Sequence, residues 1–249
     1  MKTESLVSAI NASILSAIDL RTATLHAPTF NGNEVAYLKE CIESTYVSSV
    51  GAMVTDFEEA ISRYTGAKYV VAVVNGTAAL HLSLLANGVG AGDEVLIPAL
   101  SFVATANAVS YCGATPHFVD VDLRRMTVSA EFLDEYLESI STVNNGICIN
   151  NATSSVIRAI IPMHTFGHPA DLDGLQRVAQ KYGLVMIEDA AESLGSWYKG
   201  RHTGTVGKCG ALSFNGNKII TTGGGGAVIT DDEKLAQKLK HLSTTAKVA

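Results

Sequence analysis

The stretch YVVAVVNGTAALHLSLLA, residues 69–86, decides the fold. Tyr69–Val74 is a nearly unbroken apolar run rich in valine, the composition of a strand buried on both faces. Asn75-Gly76 interrupts it. From residue 77 to 88 leucines and alanines recur at helical spacing. A buried strand, a tight glycine turn and a helix, in that order, open a β–α–β unit.

Downstream the same rhythm repeats. Short apolar runs follow at Glu94–Pro98, His117–Asp120, Val156–Met163, Leu184–Asp189, Cys209–Phe214 and Ala227–Thr230. Helical patterns lie between many of them, at 102–112, 129–140 and 171–182. The expectation is an α/β fold with a mostly parallel seven-stranded sheet and helices on both faces, linked by right-handed crossovers. The segment 141–155, STVNNGICINNATSS, is polar and reads as a loop or insert. A last helix is expected at about 231–243. Upstream, residues 1–22 read as an amphipathic helix, and 33–45 and 53–65 show helical spacing. The chain divides on this reading into an N-terminal helical segment, 1–65, and a large domain, 66–249.

Composition narrows the function. Of 249 residues, 47% are apolar and 17% charged, which builds a core and argues against disorder. The net charge of −6 leaves no basic field to attract nucleic acid or an anionic membrane. An anionic ligand must therefore be caught by local groups. The first twenty residues form neither a signal peptide nor a membrane span. Cys41, Cys112, Cys148 and Cys209 make no CxxC pair and read as reduced thiols of a cytosolic protein.

Ligands on parallel sheets sit at the carboxyl ends of the strands, so the residues following each run matter most. After the first run come Asn75, Gly76, Thr77 and Ala78. The free amides of the helix start and the Thr77 hydroxyl can face a phosphate there; the same residues also suit an ordinary capped turn. After the second run stands Phe102, an aromatic able to stack on a planar ring or to join the core. The fifth run ends in Glu188-Asp189, with Glu192 close behind. A carboxylate there is costly without a partner. A protonated ring nitrogen, a metal or a sugar hydroxyl would each serve. After the sixth run come Ser213 and Lys218, then four glycines, 223–226. A lysine shielded between an apolar run and a glycine turn can act as a nucleophile towards aldehydes. Ser213 can donate to a phosphate.

Phosphate cradle, stacking ring, carboxylate and lysine are the four handles of pyridoxal phosphate, and they occur in that chain order, each at a strand end. Two other patterns carry less. Gly88, Gly90 and Gly92 follow a helix and precede a strand, the wrong context for a dinucleotide fingerprint. His164 and His168 flank Phe166-Gly167 ahead of Pro169 and do not share one helix face, so no metal site is expected. His164, following a strand end, is a candidate to reach the site.

Five segments carry a resemblance to a known family: VSSVG (47–51), VNGTAALH (74–81), SFVATAN (101–107), IEDAAESLG (187–195) and SFNGNK (213–218). The chain resembles the DegT/DnrJ/EryC1/StrS nucleotide-sugar aminotransferases from about Pro28 to Lys247, and is especially similar to the LegC-like branch. The resemblance implies the large domain of a fold type I pyridoxal-phosphate transferase. It implies that Lys218 holds the cofactor as a Schiff base and moves the proton of transamination. It implies that Asp189 pairs with the pyridine nitrogen, that Gly76, Thr77, Ala78 and Ser213 hold the phosphate, and that Phe102 takes the stacking position. Glu192 stands near the ring hydroxyl, where many relatives have glutamine.

The implied reaction moves an amino group from glutamate to a UDP- or GDP-linked 4-keto-6-deoxy sugar. It belongs to polysaccharide precursor synthesis in the cytoplasm, by a homodimer. Family members continue into a smaller C-terminal domain that is absent from this sequence. A chain that keeps the fold and binds cofactor or partner without turnover is therefore the alternative.

Overall fold

The computed structural model describes residues 3–18 and 26–246. Three helices come first: α1 (Thr3–Ile18), α2 (Glu34–Glu43) and α3 (Ala52–Thr65). There follow β1 (Tyr69–Val73), α4 (Gly76–Ala86), β2 (Asp93–Pro98), α5 (Val103–Tyr111) and β3 (Thr115–Val119). The middle of the chain holds two short strands, β4 (Val121–Asp122) and β5 (Thr127–Val128), then α6 (Ala130–Ile140), β6 (Ser141–Asn144), β7 (Ile147–Asn150) and β8 (Val156–Ile160). Next come α7 (Leu172–Tyr182), β9 (Val185–Asp189) and the small hairpin β10 (Trp197–Tyr198) and β11 (Arg201–His202). The last elements are β12 (Cys209–Ser213), β13 (Gly226–Thr230) and α8 (Glu233–Ser243). Of the helix expected over 1–22, Thr3–Ile18 is helical and the other positions lie outside the described residues.

The main sheet runs β1-β13-β12-β9-β8-β2-β3. These are the seven runs read from the sequence as strands. Pairing is parallel from β12 through β9, β8 and β2 to β3, and β13 alone on this path runs against both its neighbours. The chain leaves β2 for β3 on one side and returns to β8 on the other, so the order reverses at β2, where such sheets open a crevice for ligands. The carboxyl ends of β1, β2, β8, β9 and β12 share one rim.

Successive strand residues point to opposite faces, and the core divides accordingly. Val95, Ile97, Ile187 and Val228 pack with α4, α5 and α8. Leu96, Ile160 and Met186 turn the other way, onto α6 and α7. On that second face Phe57 of α3 meets Phe214 edge to face at 5.1 Å. Glu58 ties α3 to the β1 edge by accepting from the Ala72 amide at 2.8 Å and pairing with Lys240 at 2.7 Å. Helix starts are fixed by side chains that accept the free amides of the first turn: Ser129 for α6, Asp171 for α7 and Asp232 for α8.

Residues 141–155 depart from the loop expected of them. They hold the β6–β7 hairpin, and β7 adds antiparallel to the first residues of β8 before β9 takes that edge. The turn is Asn145-Gly146 with both φ positive, 50° and 77°, the geometry that matches the twist of a two-residue hairpin. Gly183, at the end of α7 with φ 68°, lies beneath this turn: a Cβ there would sit 2.0 Å from the Gly146 carbonyl oxygen.

Candidate active site

At the end of β1, Asn75 takes an extended conformation and caps α4, its Oδ1 accepting the Ala78 amide at 2.8 Å. Gly76 and Thr77 then form the wall of a cavity of about 240 Å³ at the rim of the sheet. Ala78 is not among its lining residues. Across the turn stands Ser213, at the end of β12. A Cβ on Gly76 would come within 2.8 Å of the Ser213 Cβ, so glycine lets a hydroxyl and a helix start sit side by side. Donors of that kind at the positive end of a helix suit an anion.

Phe102, at the N-cap of α5, lines another wall and is 63% exposed. Lys218 lies between the two, in the turn after β12. Its side chain is only 13% exposed, and Nζ sits 5.8 Å from the Phe102 ring centre and 3.3 Å from Glu192 Oε1. The second Glu192 oxygen accepts the Phe166 amide at 3.3 Å.

Asp189 ends β9 and is 3% exposed. Its Oδ2 accepts the Thr105 hydroxyl at 2.7 Å and its Oδ1 the Ala191 amide at 3.2 Å. Burial raises its pKa above the ordinary carboxylate value, against the pull of Thr105, Ala191, His164 and Lys218. Glu188, one residue earlier, faces the other side of the sheet. It accepts the amides of Gly204, Val206 and Gly207 at 2.8, 2.7 and 2.6 Å. Burial would raise it too, but the His164 hydrogen bond and the backbone donors outweigh that and hold it low.

His164 does not line the cavity. It is fully buried, with Nδ1 accepting the Ala170 amide at 3.1 Å and Nε2 at 3.0 Å from Glu188, so Nε2 carries the proton. Among the described residues no cluster of three or more histidine, cysteine or acidic side chains is placed to hold a metal.

One cavity thus brings together Gly76, Thr77, Phe102, Asp189, Glu192, Ser213 and Lys218. The sequence reading assigned no role to Thr105, Asn215 or Asn217. Thr105 lies in the SFVATAN segment, and only the fold places its hydroxyl against Asp189. The arrangement can take a small planar group with an anionic arm: anion at the α4 start, ring beside Phe102, a protonated ring nitrogen at Asp189 and a carbonyl at Lys218.

Known proteins resemble the chain over most of its length. GDP-perosamine synthase of Caulobacter vibrioides is 43% identical over 224 residues, covering 90% of this chain and 56% of the relative. An aminotransferase structure from Psychrobacter cryohalolentis superposes with a TM-score of 0.75 at 35% identity, over 86% of this chain and 50% of that one. DesI, solved in the presence of its TDP-sugar product, gives 0.75 at 29% identity, over 87% and 51%. The chain spans about half the length of these relatives. The family model for DegT/DnrJ/EryC1/StrS aminotransferases matches residues 28–248, and the chain belongs to that family.

Proposed function

We propose that this chain carries the cofactor site of a pyridoxal-phosphate aminotransferase that passes an amino group from glutamate to the keto carbon of a nucleotide-linked 4-keto-6-deoxy sugar. The observation that carries the reading is the meeting of Lys218, Asp189 and the α4 start around one cavity. Bound there, pyridoxal phosphate supplies an aldehyde for amines and a ring that accepts electrons.

Each residue then has a task. Gly76, Thr77 and Ser213 bind the phosphate, whereas the Ala78 amide is taken by Asn75 and lies off the cavity. Phe102 holds the ring plane, Asp189 keeps the ring nitrogen protonated, and Glu192 lies by the ring hydroxyl. Lys218 Nζ would hold the cofactor at its aldehyde carbon and, as the free amine once a substrate amine has displaced it, would serve as the acid and base that moves a proton at the substrate carbon. The residues fit the group: a buried carboxylate with spare acceptor capacity faces a pocket whose far end is an anion cradle.

A cavity of about 240 Å³ lies below the roughly 300–1,000 Å³ of typical ligand pockets. It suits the cofactor alone. The relatives support a sugar-nucleotide substrate: one is named for GDP-perosamine and another is described with a TDP-sugar product. The reading includes a cytoplasmic homodimer in polysaccharide precursor synthesis. Exposed Val35, Leu38, Ile42 and Val47 on and beyond α2 support a partner surface of that kind.

The test is to add pyridoxal phosphate, record the visible absorbance, reduce with borohydride and map the modified peptide by mass. A band with label on Lys218, and 2-oxoglutarate formed from added glutamate, are expected. A folded chain with no band would overturn the reading in favour of a chain that binds a partner without turnover.

A further inference from the structure

Thr105 is fully buried in the first turn of α5. A buried hydroxyl must place its proton. Here the partner is Asp189 Oδ2 at 2.7 Å, and an ionised carboxylate only accepts, so Thr105 donates. Ser101 Oγ in turn donates to Thr105 Oγ1 at 3.1 Å. The bonds run one way, from Ser101 to Thr105 to Asp189. The Ala191 amide holds the other carboxylate oxygen. Asp189 is thereby clamped at both oxygens, and each keeps acceptor capacity for the cavity. Among the groups that offset burial at Asp189, Thr105 comes first. Its position in the first turn of α5 adds the positive end of a helix.

We propose that Thr105, backed by Ser101, is a positioning residue. It fixes the rotation of Asp189 and keeps its charge for a ring nitrogen. The inference rests on the cofactor reading above. Removing the donor leaves a buried carboxylate oxygen short of a partner and weakens its hold on a protonated ring. A ring less firmly protonated withdraws fewer electrons, and groups conjugated to it keep their protons to higher pH.

The experiment measures pyridoxal-phosphate affinity, and the pH midpoint of the bound visible band, in the full chain and its variants. Thr105→Val, nearly isosteric, should bind roughly tenfold more weakly or worse, with the midpoint moved upward. Thr105→Ser should bind within about threefold of the parent, since the donor is restored. In an Asp189→Asn background the valine substitution should add little, because its effect passes through that carboxylate.

Parent affinity and an unmoved midpoint in Thr105→Val would overturn the proposal. So would a valine effect that persists in full without Asp189. Should the valine variant not fold, Ser101→Ala reads the same relay: an upward shift supports the proposal and an unmoved midpoint overturns it. A parent chain that shows no band overturns the cofactor reading itself, and this inference with it.

Discussion

Glu188 and Asp189 are consecutive carboxylates at the end of one strand, and their surroundings drive their protonation in opposite directions. Glu188 faces three backbone amides and His164 and is held low. Asp189 faces the cavity, and burial holds it high. Strand alternation makes this possible, since one carboxylate serves the scaffold and the other the site.

For Asp189, a raised native pKa means that the folded state binds the proton more tightly. Its effect on stability is neutral below the unfolded carboxylate range and grows unfavourable as pH rises through the folded value. Asp189→Asn removes that cost. The variant should melt no lower than the parent at pH 7, in scans without cofactor, yet bind pyridoxal phosphate at least about tenfold more weakly, with the pH midpoint of its visible band moved upward.

Glu188 has the reverse sign. Its depressed pKa contributes stability above the unfolded carboxylate value, and that stability is lost as pH falls through the folded one. Glu188→Gln should lose about 3 kcal/mol or more at pH 7, because the amide cannot accept from every donor converging there. Its urea midpoint should also fall less between neutral pH and about pH 4 than that of the parent.

The Lys218–Glu192 pair must open before Nζ can reach an aldehyde. Part-exposed pairs are worth about 1 kcal/mol or less. Glu192→Gln should therefore speed cofactor capture by up to about fivefold in stopped-flow absorbance, with little change in thermal stability. Slower capture would show that the carboxylate helps the lysine shed its proton.

Gly183→Ala should destabilise by about 2 kcal/mol or more in urea unfolding. It adds a Cβ at a positive φ, against the Gly146 carbonyl.

The seven main strands were legible because burial on both faces leaves nearly continuous apolar runs, as in Val70–Val74 and Leu184–Ile187. The β6–β7 hairpin was obscured by the asparagines, serines and threonines around it, although Asn145-Gly146 is a strong turn signal between Val143 and Ile147. Most of the candidate site could be read from strand ends. His164 could not: its position after β8 suggested the cavity, and only the fold turns it onto Glu188. Thr105 was invisible for the same reason, since its partner lies far along the chain.

The placement of β13 bears on biosynthesis. Among the described residues, Tyr69 through Val73 form their ladder only with Thr230 through Gly226. On the ribosome, the strand that carries the Asn75–Thr77 turn waits without a hydrogen-bonding neighbour until nearly the whole described chain has emerged. Pairing this distant in sequence is slow and leaves a bare edge in the meantime. The turn that starts α4 is thus among the last features to assemble. A nascent chain arrested before Gly226 would hold the Asn75–Thr77 sequence without the strand that brings that turn to Ser213.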